Sequence, residues 1–157
     1  MEDRYLFKAK TAQIVGTYNN GIEDGVWVHG SLRCDVGKYT IFQFENERAD
    51  YVEYEIDPST ICQCTGLKDK NGNLIWENDI VEFQFDNEDC PFPNKDTKKR
   101  KGKVFFSDYR ASFSIAMGRR GSKSLNNDLF KYVQCGNRVE VVGNIFDNPE
   151  LLVRNDE

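Results

Sequence analysis

Residues 57 to 83 restrict the fold more than any other stretch, because turn chemistry and strand alternation follow one another there at close spacing. Pro58 drives Asp57 out of the helical region and marks a boundary, since the residue before proline is pushed to extended backbone. Asn71-Gly72 lies between Leu67 and the apolar Leu74-Ile75-Trp76, and Asn-Gly is the pair favoured in a type I′ hairpin, where both central residues take positive φ. Asn78-Asp79 makes a second turn and launches Ile80 to Phe85, in which Val81, Phe83 and Phe85 alternate with Ile80, Glu82 and Gln84. That period of two is the mark of a half-buried strand.

The same residues carry a resemblance. The Asp57-Pro58-Ser59-Thr60 opening, the run from Thr65 to Gly72, and Ile75, Glu77 and Asp79-Ile80-Val81 closely resemble the signature segment of the YopX-like proteins of phages and prophages. Val139 to Ile145, followed by Asn148-Pro149-Glu150-Leu151-Leu152, is similar to that family's closing segment, and Trp27 to Leu32 is a weaker match to its N-terminal part. The strong matches cover about a quarter of the chain. They imply an SH3-like fold and a phage context, but no activity. Two positions depart from the pattern. Asn78 stands where relatives usually have glycine, and asparagine is the residue that best replaces glycine in a left-handed turn. Cys62-Gln63-Cys64 stands where relatives tend to have Gly-Gln and an aromatic, so that aromatic's role does not carry over.

Composition sets the class. A chain of 157 residues with 39% hydrophobic content can bury a core in one domain or in two small coupled ones. No run approaches the roughly 20 apolar residues of a membrane helix, and Met1-Glu2-Asp3-Arg4 lacks the layout of a signal peptide. The expectation is a soluble protein of the host cytoplasm with no membrane partner. The five cysteines are odd in number and scattered, which suits a reducing compartment.

The short, aromatic-rich runs Tyr5 to Lys10, Val26 to Arg33, Tyr39 to Phe44 and Tyr51 to Ile56, separated by Asn19-Asn20-Gly21, Glu23-Asp24-Gly25 and Asp35-Val36-Gly37, predict an antiparallel meander over residues 1–57. Residues 58–157 predict strands at Leu74 to Trp76, Ile80 to Phe85, Gly102 to Phe106, Ser112 to Met117 and Arg138 to Ile145. Ser124 or Asn126 is placed to cap a short helix through Leu125, Leu129, Phe130 and Val133, and Asn148-Pro149 to start a final turn. The expected fold is mainly β: a small N-terminal antiparallel sheet plus a C-terminal SH3-like barrel with a short helical insertion.

Chemistry is sparse. Two thiols one residue apart, Cys62 and Cys64, lack the second pair of ligands a zinc site needs and share one strand face, so packing is the simpler role. His29 is the single histidine and completes no nucleophile constellation. Glu77 with Asp79, and Asp86 with Glu88-Asp89, sit in turns where carboxylates order backbone, and no glycine-rich phosphate motif is present. The expectation is a protein without catalytic centre, metal or cofactor.

Charge is the one feature above background. Residues 1–57 hold six basic and eleven acidic side chains, whereas residues 95–123 hold ten Lys or Arg against Asp96 and Asp108. Lys95, Lys98, Lys99, Arg100, Lys101 and Lys103 enter one predicted strand, and Arg119, Arg120 and Lys123 leave the next. If those strands pair as a hairpin, the two groups meet in a patch suited to DNA or RNA phosphates, while a solvated charged loop is the plainer alternative. Two functions follow. The first is an adaptor or modulator that binds a phage or host protein, or a second copy of the chain. The second binds nucleic acid through residues 95–123.

Overall fold

The computed structural model describes residues 5–13, 21–45, 50–117 and 127–153. Among these residues it is mainly β, with two antiparallel sheets and one α-helix, and the chain divides into two compact units, Met1–Gly66 and Leu67–Glu157. Asn19, Asn20, Ser124, Leu125 and Asn126 lie outside the described residues.

In the first unit β1 (Phe7–Lys10), β2 (Trp27–Asp35), β3 (Lys38–Phe44), β4 (Tyr51–Glu55) and β5 (Cys62–Lys68, which ends in the second unit) run in the order β4-β3-β2-β1-β5. Alternation puts one set of side chains into a core of Ala9, Val28, Ile41, Tyr54 and Ile56. A bridge between Thr11 and Ile56, with the Ala12 N–H donating to the Glu55 carbonyl (3.0 Å), ties the end of β1 to the end of β4.

The Asp-Pro-x-Thr opening has a local cause. Asp57 is extended (φ −76°, ψ 112°), as its proline requires, and its carboxylate accepts from the Ser59 N–H (2.9 Å), capping a 3₁₀ turn over Pro58–Thr60. Thr60 is buried; its Oγ1 donates to the Asp57 carbonyl (2.7 Å) and accepts from the Lys10 N–H (2.9 Å), which fastens the turn to β1. Cys62 and Cys64 follow on β5, both fully buried and neither in a disulfide. Gly66 lies inside β5 with φ +76°, a conformation that glycine adopts without strain.

The second unit begins with the hairpin from the end of β5 to β6 (Leu74–Trp76). The hairpin is present, but not with a type I′ turn: Gly72 is left-handed (φ +84°) and Asn71 is not. The Gly72 N–H donates to the Asp69 carbonyl (3.0 Å) and the Asp69 N–H to the Asn73 carbonyl (2.8 Å), which describes a three-residue loop ending on a left-handed glycine. Asp69 decides this. Its buried carboxylate takes the N–H groups of Asn71 and Asn73 (2.9 Å each) through Oδ1, so the chain folds around an acceptor that Asn-Gly statistics ignore.

A sheet of β7 (Asp79–Phe83), β8 (Arg100–Ser107), β9 (Ser112–Ala116) and β10 (Val139–Asn144) follows, in the order β10-β7-β8-β9. Val81, Phe83, Val104, Ile115 and Val139 line its core face and pack with Leu129 and Tyr132 of α1 (Leu129–Gln134). Asn78 has φ +68°, the left-handed value its identity predicts. The helix cap is Asp128, whose Oδ1 accepts from the Phe130 N–H (3.0 Å), whereas the expected Ser124 and Asn126 lie outside the described residues. The final 3₁₀ turn, Pro149–Leu152, starts where expected, with no side-chain bond from Asn148 to cap it.

The described strands form two open sheets, with no closed barrel among the described residues. Both edges of the second sheet are met by further chain at a few positions. Along β10, the Lys70 N–H donates to the Val139 carbonyl (2.9 Å) and Asp69 Oδ2 accepts from the Val141 N–H (3.0 Å). Along β9, the Ile115 N–H donates to the Asn127 carbonyl (2.8 Å) beside a Ser114–Asp128 bridge.

Candidate interaction surface

The basic segment enters the structure through an ordered loop. Across its neck the Asp86 N–H donates to the Asp96 carbonyl (3.0 Å), the Asp96 N–H to Asp86 Oδ2 (2.7 Å), and Gln84 Nε2 to the Thr97 carbonyl (2.7 Å). Lys95 Nζ donates to the Glu88 carbonyl, and the Lys98 N–H to Asp96 Oδ1 (3.1 Å). Arg100 forks onto Asp96 (3.0 and 2.6 Å), donates to the Lys98 carbonyl (3.0 Å) and lies 4.1 Å over the Phe85 ring. Its guanidinium is therefore committed to holding the loop, and it keeps the Asp96 carboxyl below the ordinary carboxylate range.

From Arg100 onward the chain is a strand, so side chains alternate. Val81 pairs with Gly102 and Phe83 with Arg100 on the core side, leaving Lys101 opposite Glu82 and Lys103 opposite Ile80 on the other face. On that face Glu140 of β10 sits directly opposite Glu82 of β7. Two carboxylates facing one another across a ladder repel. Lysines relieve them: Lys99 Nζ reaches Glu82 Oε1 (3.1 Å) and Lys70 Nζ reaches Glu140 Oε2 (2.5 Å). The Lys70 bond holds the Glu140 carboxyl below its usual range and raises the Lys70 ammonium. Lys70, Glu82, Gln84, Lys99, Arg138 and Glu140 line a recess of about 100 Å³.

Within residues 95–103, Lys99 and Arg100 are thus engaged by Glu82 and Asp96. Lys98, Lys101 and Lys103 form no ion pair among the described residues, and Lys98 and Lys101 are exposed. The β8–β9 hairpin exists, with Lys103 opposite Ala116. Arg119, Arg120 and Lys123 lie outside the described residues. Reading the sequence missed Lys70, Glu82, Arg138 and Glu140 as parts of this surface. Glu82 and Glu140 are visible as polar positions in alternating strands, but nothing local says that β7 and β10 pair in this register.

The other candidates take structural places. Asp79 is buried and its Oδ2 accepts from the Trp76 N–H (2.8 Å), closing the turn. His29 is exposed on β2 opposite Lys8. Among the described residues no three His, Cys, Asp or Glu side chains converge as metal ligands, and no helix is long and apolar enough to cross a membrane.

The protein-family model described as YopX protein matches residues 23–153, most of the chain. No curated protein matches it.

Proposed function

The chain belongs to the YopX family, and from that premise we propose that it is a non-enzymatic adaptor or modulator that binds a phage or host protein in the host cytoplasm. The observation that carries this reading is the recess flanked by the ion pairs Lys70–Glu140 and Lys99–Glu82. At about 100 Å³ it is well below the roughly 300 Å³ of a small-molecule site and suits a partner's side chain. Its two signs of charge give orientation and partner choice. A polyanion brought to the same place meets Glu82 and Glu140 as well as the lysines, which argues against the alternative of nucleic acid bound through residues 95–123. The SH3-like character expected of residues 58–157 belongs to this proposal, as a small β unit that acts through loops and one sheet face.

The test is a photo-crosslinking residue at Lys101 of the full chain, expressed in the bacterial cytoplasm, with Lys99→Glu and Glu82→Lys as separate variants. The adaptor reading expects a discrete protein adduct that survives nuclease and weakens in both variants. An adduct that dissolves on nuclease treatment, or one weakened by Lys99→Glu and strengthened by Glu82→Lys, moves the segment to nucleic acid.

A further inference from the structure

On the side of the first unit's sheet away from its core, Thr40, Glu55 and Cys62 are buried, and between them lies an aromatic stretch that the proposed adaptor surface does not use. Residues directly paired in an antiparallel ladder share a face. The pairs Lys10–Trp27, Lys8–His29, Ser31–Phe42, Phe42–Glu53 and Phe44–Tyr51 therefore put Trp27, Phe42, Phe44 and Tyr51 on the side opposite the core residues Ala9, Val28, Ile41 and Tyr54. Phe44 and Tyr51 are 62% and 58% exposed, and His29 and Arg33 are exposed beside them.

Two features set this face apart from a scatter of surface aromatics. The rings are in mutual contact: Tyr51 lies 5.1 Å from Phe42 and 6.4 Å from Phe44, centroid to centroid. Cations are interleaved with them, Lys8 and Lys10 at 5.0 and 5.4 Å over Trp27 and Arg33 at 5.9 Å over Phe42. Ser31, opposite Phe42, is four residues along β2 from Trp27, so the two aromatic groups stand roughly 13 Å apart along the strand, within reach of a few nucleotides.

We propose that this face of β1 to β4, carrying Trp27, Phe42, Phe44 and Tyr51, binds single-stranded nucleic acid by stacking bases on its rings, with Lys8, Lys10 and Arg33 meeting the phosphates. Every base offers a flat face to a ring, so such a platform is sequence-tolerant; a duplex keeps those faces stacked internally and is disfavoured. Asp35, which bonds Arg33 at 3.2 Å, and Glu53 opposite Phe42 offset much of the charge of Lys8, Lys10 and Arg33, and residues 1–57 are acidic as a whole. Affinity therefore depends on the rings more than on counterion release, and the salt slope is shallow. This site is separate from residues 95–103 and stands or falls apart from the adaptor reading.

The experiment titrates the full chain with an oligothymidylate of about twelve nucleotides and follows tryptophan fluorescence. Trp76 is buried, so quenching reports Trp27. The expected result is saturable quenching at low salt, weaker binding of the matching duplex, and a loss of about tenfold or more when Phe44→Ala and Tyr51→Ala are combined. Because both rings are exposed, that variant keeps its circular dichroism and melting temperature. Trp27→Phe removes the quenching signal while competition with labelled oligonucleotide still shows binding, and Lys98→Gln with Lys101→Gln leaves the affinity unchanged. Absence of saturable binding at low salt overturns the proposal. So does equal binding of heparin that ignores the aromatic changes, which reduces the face to its charge. So too does a double variant that keeps oligonucleotide affinity but loses a protein adduct, which assigns the face to a protein.

Discussion

Val36 holds a left-handed backbone (φ +46°) beside Gly37 (φ +78°) in the two-residue turn that joins Asp35 of β2 to Lys38 of β3. A β-branched residue is strained there, at about 1–2 kcal/mol, whereas asparagine is the residue such a turn prefers. Val36→Asn is expected to stabilise the protein by about 1 kcal/mol and to raise the melting temperature by about 2–4 °C, measured by thermal and urea unfolding. Asp69 shows the opposite case, a residue already matched to its place. Its carboxylate accepts from three backbone N–H groups, those of Asn71, Asn73 and Val141, and removing it strands three donors at about 1–3 kcal/mol for each that stays buried. Asp69→Ala should therefore cost about 3 kcal/mol or more, with Lys70→Ala, at the exposed rim, costing far less in the same melts. At this scale the sequence was legible where a residue's own backbone preference decides, as at Asn78 and Pro58. It was not legible at Asp69, whose third partner is Val141, far along the chain.

Strands β8 and β9 approach closely because Gly102 has no side chain. A Cβ there would lie 2.4 Å from Ile115 Cγ2 and 2.7 Å from the Ala116 carbonyl oxygen. Gly102→Ala is expected to destabilise by about 1–3 kcal/mol, and amide exchange should locate the loosening in β8 and β9. The loop that feeds β8 depends on the Asp96–Arg100 fork. Because Arg100 depresses the Asp96 carboxyl, this contribution is present above the ordinary carboxylate range and is lost as pH falls through the depressed value. Carboxyl carbon-13 titration should place Asp96 below ordinary aspartates in the native protein. Arg100→Gln should move it back up, and a midpoint unchanged by that substitution would show that Arg100 is not the cause. The strands themselves were largely readable, since apolar alternation at Val81, Phe83 and Phe85 or at Phe113 and Ile115 is local information. The helix cap was less so, because Asp128 and Asn126 offer the same chemistry to the backbone and only the finished packing of Leu129 and Tyr132 chooses between them.

Across the whole molecule Lys99 acts as counter-ion to Glu82 and Lys70 to Glu140. Glu82 and Glu140 face one another, and reversing Lys98, Lys99, Lys101 and Lys103 to glutamate leaves that pair among added like charges. The quadruple variant should melt lower than the native protein at low salt and recover part of the difference as salt screens the repulsion; a melting temperature independent of salt would remove the counter-ion role. From its sequence alone the chain is a mainly β protein of the YopX type, with most strands, the left-handed Asn78 and two thiols suited to packing in recognisable places, because each follows from the chemistry of near neighbours. Only the tertiary structure decided that Lys99 and Arg100 of the basic run lie against Glu82 and Asp96, and that the aromatics of β2, β3 and β4 gather on one face. Those outcomes depend on strand order and register, where a shift of one residue sends every side chain to the opposite side, and register is set by pairings between segments distant in the chain.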